Sequence, residues 1–383
     1  MSHTTIGILG GYGNTGREVA RLLLEHTDVH LLLAGRDAQK ASQAAEMWNA
    51  RVAGQRVRAL RADAAEADSL RHAFEGIDLV VVASSSSVHV RTVAEAALAA
   101  GIDYMDPQYS NAKLGVLRSM AARIEAAGLC FITDAGFHPG LPAALVRFAG
   151  QRLGRITSAT VSSVIQEDWA RLEFSPSTIE ELVMEFRDYR ALHFKDGRWR
   201  SMGWLEMMRP IWMTFSHGFG RRYTVPMFLE EMCPLPDLIP GLVETGFYVG
   251  GFNPVADYLI LPLVMGLVSV APRRGLRLAG RMLAWGLQRF SKPPFGTLLR
   301  LEARGGIDGQ GRVLTVEVYH HDGYVLTAAP MVACLLQVLD GSRRPPGLHL
   351  QALLVEPARL LADLQRMGID VVIQEGGEAP DGG

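Results

Sequence analysis

Gly11, Gly13 and Gly16 stand at G-x-G-x-x-G spacing. They follow the apolar run Ile6, Ile8 and Leu9 and precede a helical pattern with Val19, Leu22 and Leu23 on one face. Strand, glycine turn and helix in that order is the setting in which this spacing binds the pyrophosphate of a dinucleotide. Gly11 permits the tight turn, Gly13 lacks the Cβ that would hold a pyrophosphate away, and Gly16 lets helix and strand approach. Tyr12, Asn14 and Thr15 fall between the glycines as loop residues over the phosphates. The helix start adds unpaired N–H groups and a partial positive charge. An ordinary glycine-rich turn is the competing reading.

The second apolar run ends in Gly35-Arg36-Asp37. An NAD site usually carries a carboxylate about 20 residues past the glycines, where it holds the ribose hydroxyls. Here small Gly35 leaves room for a 2′-phosphate, and the Arg36 guanidinium offers it a charge-assisted bond. NADP(H) is therefore expected over NAD. Asp37 is the counter-indication unless it caps the next helix, and a solvated loop arginine is the alternative for Arg36. Asp63 ends the third run, beside the expected adenine. Ser84 and Ser85 end the fourth, on the nicotinamide side of the crevice, because parallel strands gather ligands at their carboxyl ends.

Hydride transfer needs an acceptor held against the nicotinamide and often a proton donor. Asp106, Tyr109 and His138 lie in the loops after the fifth and sixth runs. His138, between Phe137 and Pro139, titrates near neutral pH and is the first candidate for general acid. A histidine bonded to loop backbone is its alternative, and Asp106 more often orients a loop than donates a proton. No His, Cys, Asp or Glu set has ligand spacing, so no metal is expected; His320 and His321 are adjacent and face opposite sides of a strand. Cys130, Cys233 and Cys334 are far apart and odd in number, as in a reducing compartment.

The elements that position these residues follow from periodicity. Apolar runs at 6–9, 29–37, 57–62, 79–83, 102–106 and 129–133 alternate with helical patterns, which predicts a doubly wound parallel sheet. Past Gly150 that rhythm stops. Residues 156–164 alternate apolar and small polar, as in an antiparallel strand with one solvated face. A capped helix is expected over 175–189, and 298–304 with 313–319 read as a hairpin. The fold class is thus α/β: an N-terminal Rossmann domain (1–135) and a second α+β substrate and dimerisation domain (136–330). Helices in 331–375 fold back on the first domain, and 376–383 form a disordered tail.

Two stretches of the second half are unusually apolar. The first, 202–258, holds Trp204, Met207, Met208, Trp212, Met213, Phe215, Phe219, Met227, Phe228 and Met232. Adaptable apolar side chains suit a large cleft, and an irregular core is the alternative. Arg221 and Arg222 read as an anion site or a solvated loop. The second stretch, 258–290, is an apolar segment too short to span a bilayer, followed by a basic amphipathic helix. Peripheral membrane contact, a buried core helix and a dimer contact are its three readings.

Several of these pieces resemble the saccharopine dehydrogenase-like NADP-binding family. They are Gly11-Tyr12-Gly13-Asn14-Thr15-Gly16, Ala34-Gly35-Arg36, the strand to Ala83, Ala99 through Asp106, Gly136-Phe137-His138-Pro139-Gly140, and Pro357…Leu364…Met367-Gly368-Ile369. Two places depart from the family pattern: His138 stands where aspartate is frequent, and a serine run replaces a Gly-Pro-Tyr-like loop. The resemblance implies NADP-linked redox chemistry, a homodimer, and a small-molecule or lipid-like substrate. Reduction of a C=N bond in an opine-like or imine-like substrate leads. Reduction of a C=C bond in a hydrophobic or carrier-linked chain is the alternative, and a non-catalytic NADP(H) sensor or scaffold is the alternative of another class. A net charge of −2 gives no case for nucleic acid. The N-terminus has no basic region leading into a long apolar segment, so a cytoplasmic protein is expected.

Overall fold

The computed structural model describes residues 4–84, 86–170, 190–203, 211–271, 275–307 and 310–377. In it the six apolar runs of the N-terminal half are strands: β1 (Thr5–Leu9), β2 (His30–Gly35), β3 (Val57–Arg61), β4 (Leu79–Val82), β5 (Asp103–Met105) and β6 (Cys130–Thr133). Between them run α1 (Asn14–His26), α2 (Ala38–Asn49), α3 (Ala67–Ala73), α4 (Val90–Ala100) and α5 (Asn111–Ala126). All pairings are parallel, and β1 lies between β2 and β4, where the strand order reverses. β4 is buried at every position because a parallel sheet is covered on both faces. Each such side chain contributes about 1.5–3 kcal/mol over leaving it in water.

Contacts divide the chain into two units, Met1–Leu141 with Tyr324–Met367, and Pro142–Gly323 with Gly368–Gly383. In the first unit the chain returns as the helix Gly323–Leu339, which begins at the unit boundary, the strand Gly347–Leu350 and the helix Pro357–Arg366. That short strand is a seventh, paired in parallel with β6. Arg344 donates two hydrogen bonds to the Asp103 carboxylate, at 2.6 and 2.9 Å, and Asp103 also accepts from the Cys130 backbone N–H.

The second unit opens with α6 (Pro142–Leu153) and holds β7 (Arg155–Gln166), β8 (Leu192–Lys195), β9 (Arg198–Ser201), β10 (Ile211–Phe215), β11 (Gly220–Met227), β12 (Glu244–Gly250), β13 (Gly296–Ile307) and β14 (Gln310–His320). The strand Asp370–Gly377 closes the sheet by pairing with β14. Residues 370–375 are thus strand in the second unit, whereas the sequence placed them with the returning helices. They cover an edge that β14 would otherwise leave unpaired. The main path runs β10, β11, β12, β7, β13, β14 and Asp370–Gly377; β7 pairs parallel with β12 and antiparallel with β13. Val161, Leu301 and Val316 are buried on one face, and Ser162, Arg300 and Glu317 share the polar one; Ser162 and Ser163 are buried too, so β7 is a mixed-sheet strand without the solvated face that its alternation predicted.

The helix expected over 175–189, and Trp204, Met207 and Met208, lie outside the described residues. Phe215, Phe219, Phe228 and Met232 are buried. Phe215 and Phe219 cluster with Val164 and Leu298, so this part of the apolar stretch is packed core. A π-helical turn, Ala256–Ile260, runs into α7 (Leu261–Val270), and α8 (Gly275–Phe290) follows.

Candidate functional site

The glycine turn after β1 is built differently from its simplest reading. Gly10 takes the left-handed conformation, with φ +88°, and Gly11 does not. Gly11 instead lies against β2, where a Cβ would stand 2.9 Å from Leu33 Cδ2. Gly16 sets the helix contact: its Cβ would fall 2.2 Å from the Gly10 carbonyl oxygen. A Cβ on Gly13 would meet only Gly10 O, at 3.2 Å. Gly13 thus faces open space at the N-cap of α1, whose first turn carries no acid. The residues present there fit a pyrophosphate.

Tyr12, Asn14 and Thr15 divide in role. Tyr12 does not lie over the phosphate cradle. Its ring covers Gly35, where a Cβ would come within 2.5 Å of it, and its hydroxyl accepts the Asp37 N–H at 3.0 Å. The space above Gly35 is therefore filled by Tyr12. Asn14 is exposed and accepts from Arg17 at 3.0 Å, while Thr15 is half-buried in the first turn of α1. Arg36 is exposed at the end of β2. The Asp37 carboxylate accepts the Lys40 N–H at 3.0 Å and caps α2, so its charge is engaged there. Asp63 caps its own turn through the Ala65 N–H.

At the carboxyl ends of β5 and β6 the structure assembles a buried polar cluster around Lys113. Its Nζ lies 2.6 Å from Asp106 Oδ1, 2.9 Å from Asp134 Oδ1 and 2.6 Å from Thr133 Oγ1, and it also donates to the Gln108 carbonyl. Asp106 further accepts from Thr133 Oγ1 at 2.9 Å and the Gln108 N–H at 3.0 Å. Burial pulls the Lys113 ammonium down and the two carboxylates more than reverse this, so it titrates above an ordinary lysine. Burial, with Asp106 beside it, raises Tyr104 well above an ordinary tyrosine. Gln108 extends the cluster, because its side-chain amide donates to the Ser84 carbonyl. Ser84 Oγ lies 3.0 Å from Ser86 Oγ; Ser85 lies outside the described residues.

Lys113 carried a signal that periodicity does not read. Ser110 caps α5 by accepting the Lys113 N–H at 3.3 Å, which makes Lys113 the third helical residue. An acid is favoured there, since a cation opposes the helix dipole. Helical side chains lean toward the N-terminus, so Lys113 reaches back to Asp106 and Asp134.

His138 sits in the Gly136–Gly140 turn. Gln351, from the returning segment, donates to the carbonyls of Gly136 and Gly140 at 3.1 and 3.3 Å. Gly140 needs its φ of +127°, and a Cβ there would lie 2.3 Å from Gly136 O. Part of His138 stays accessible, yet burial of its ring, edge-on to Phe137, lowers its pKa to about 3. That shift favours the neutral imidazole at this position. Tyr109 is half-buried in the loop before α5. His320 and His321 touch, with ring centroids 4.3 Å apart, because β14 ends at His320 and its alternation does not reach His321. Among the described residues no three His, Cys, Asp or Glu side chains are placed to hold a metal ion.

A parallel sheet with a reversal point and a glycine turn at a helix start define a dinucleotide-binding fold. Residues 6–132 match the Saccharopine dehydrogenase NADP binding domain. Over the whole length the chain is similar to apo saccharopine dehydrogenase (L-Glu forming) from Saccharomyces cerevisiae. The TM-score is 0.68 at 14% identity, covering 98% of this chain and 100% of that one, which is a likeness of fold. C. glutamicum DAP dehydrogenase in complex with DAP gives 0.48 at 14% identity over 96% and 99% of the two chains. No curated protein sequence matches the chain.

Proposed function

We propose that this protein is an NADP(H)-dependent reductase of a C=N bond in an imine substrate. The observation that carries the reading is the charge of the cluster at the β5–β6 edge: Asp106 and Asp134 against the single ammonium of Lys113. Two carboxylates and one ammonium leave one negative charge at the sheet edge where ligands bind. A C=N bond is most electrophilic as an iminium cation, and a fixed negative charge nearby stabilises that cation. Reduction of a C=C bond beside a carbonyl instead builds negative charge on oxygen and calls for donors aimed at it. Lys113 cannot supply them, because four acceptors already surround its three N–H bonds. His138 stays uncharged and does not oppose a bound cation.

The cofactor, when bound, supplies the hydride. Gly13 and the start of α1 would hold its pyrophosphate, and Arg36 a 2′-phosphate. Asp106 and Lys113 have no exposed surface, so they act on a bound substrate through their field and through Gln108 and Ser84.

The test is NADPH consumption with 2-oxo acids paired with primary amines, run beside enoyl thioesters. Turnover of the amine pairs, faster with NADPH than NADH, is the expected result. Turnover of the thioesters alone would assign C=C reduction, and tight NADPH binding without turnover of either would assign a sensor.

A further inference from the structure

We propose that the segment from Tyr258 to Phe290 docks the protein on an anionic membrane surface, lying in the interface without crossing it. The segment lies wholly within the second unit, and the proposal is independent of the reaction. α7 and α8 pack on each other through Val264, Val268, Ala279, Leu283 and Leu287. The close approach rests on glycines: a Cβ on Gly275 would lie 2.9 Å from Leu267 O, and one on Gly286 2.2 Å from Ile260 Cδ1. The apolar side chains needed for a core are therefore already inside the pair.

More of them remain outside. Tyr258, Leu259, Leu263, Val270, Leu278 and Trp285 are each more than half exposed, and they make up most of the large exposed apolar side chains of the described chain. Along the π-helical turn and α7 the outward stripe of Leu259, Leu263, Gly266 and Val270 falls at intervals of three and four residues and includes no charge. A helix facing water carries charged or polar residues on that side. On α8 the exposed Leu278 and Trp285 alternate with exposed Arg277, Arg281 and Arg289. A tryptophan among arginines beside an apolar stripe is the composition of an interfacial helix. Among the described residues no helix is long and apolar enough to cross a membrane.

Charge selects the occupant. From Tyr258 to Lys292 the sequence has Arg273, Arg274, Arg277, Arg281, Arg289 and Lys292 and no acid. A second copy of the chain docking by two-fold symmetry would set these cations against their own images, with no carboxylate in the segment to pair them. A bilayer with anionic headgroups supplies both an apolar layer and the opposite charge. Each arginine near such a surface strengthens binding about fivefold.

The experiment is sedimentation of the full chain with vesicles of phosphatidylcholine containing phosphatidylserine, and with phosphatidylcholine alone. The protein should pellet with the anionic vesicles and be released by salt. Leu263→Ser with Trp285→Ser should weaken binding at least tenfold, and Arg277→Gln with Arg281→Gln should remove most of the preference for phosphatidylserine. These residues are exposed, so NADPH binding in both variants should match wild type and show that the fold is intact. Protein that stays in the supernatant at low salt overturns the proposal. So does vesicle binding unchanged in both variants. Light scattering that shows a dimer which Leu263→Asp splits, without vesicle binding, would assign the surface to a second copy.

Discussion

Lys113 Nζ stands 2.6 Å from Asp106 Oδ1, and neither side chain has any exposed surface. The pair joins the first turn of α5 to the end of β5, with Asp134 as the second carboxylate. Breaking a buried pair from one side leaves a bare charge in a low dielectric, at about 3–5 kcal/mol. Lys113→Met should therefore lose that much in urea denaturation followed by near-UV circular dichroism. Asp134→Asn keeps an acceptor for Lys113, and it should fold. It should also lower kcat for amine-pair substrates, because the cluster no longer carries a net negative charge.

Gly13 and Gly16 separate ligand approach from fold. In Gly13→Ala the new methyl meets only Gly10 O at 3.2 Å. The chain should fold with a cost of up to about 1 kcal/mol for a poorer helix cap. NADPH affinity, read by isothermal calorimetry, should fall at least tenfold. In Gly16→Ala the methyl would sit 2.2 Å from Gly10 O, so the backbone must move. A loss of about 3 kcal/mol is expected, visible as a lowered Tm before any ligand is added.

Arg36 is the residue proposed to hold the 2′-phosphate. A charged hydrogen bond to a phosphate is worth about 1.5–3 kcal/mol. Arg36→Ala should therefore reduce the ratio of NADPH to NADH affinity by about tenfold to a hundredfold. An unchanged ratio would remove Arg36 from the site. Tyr12→Phe removes only the hydroxyl that accepts the Asp37 N–H, and should leave the ratio intact.

Two buried groups impose opposite pH dependences. Burial lowers His138 from 6.5 to about 3, so the unfolded chain binds the extra proton between those values. Stability from this group is present above about pH 6.5 and lost as pH falls, by up to about 1.4 kcal/mol per pH unit. Asp257 behaves inversely. Burial raises it from 3.8 to about 7, with Phe252 N–H and Tyr223 donating to it. Its contribution is full below about pH 3.8 and is lost as pH rises toward 7. Denaturation at a series of pH values should show His138→Gln less sensitive than wild type below pH 6.5, and Asp257→Asn gaining on wild type up to pH 7.

The first unit was legible in the chain because its signals are local. Apolar runs, glycine spacing and helical stripes each occupy a dozen residues, and parallel strands need exclusion of water from both faces. Gly347–Leu350 escaped because a four-residue strand has no period to read. It exists because β6 offers an edge. Lys113 escaped because a lysine on a helix is ordinarily solvated, and what makes it otherwise is the arrival of Asp106 and Asp134 from two strand ends. Tyr12 and Gly35 show the same limit within the motif: the sequence names a small residue, and the structure shows that a ring already fills its space.

By itself the sequence determined the dinucleotide-binding unit, its strand and helix types, the glycine cradle and the change of architecture after Gly150, since each depends on contacts between near neighbours in the chain. Tertiary structure alone decided which strand ends meet around Lys113 and which segment completes each sheet. It also decided that burial lowers the pKa of His138 and that apolar side chains of α7 remain uncovered. Those outcomes depend on desolvation and on charges brought together from distant positions, and neither is set by any one stretch of residues.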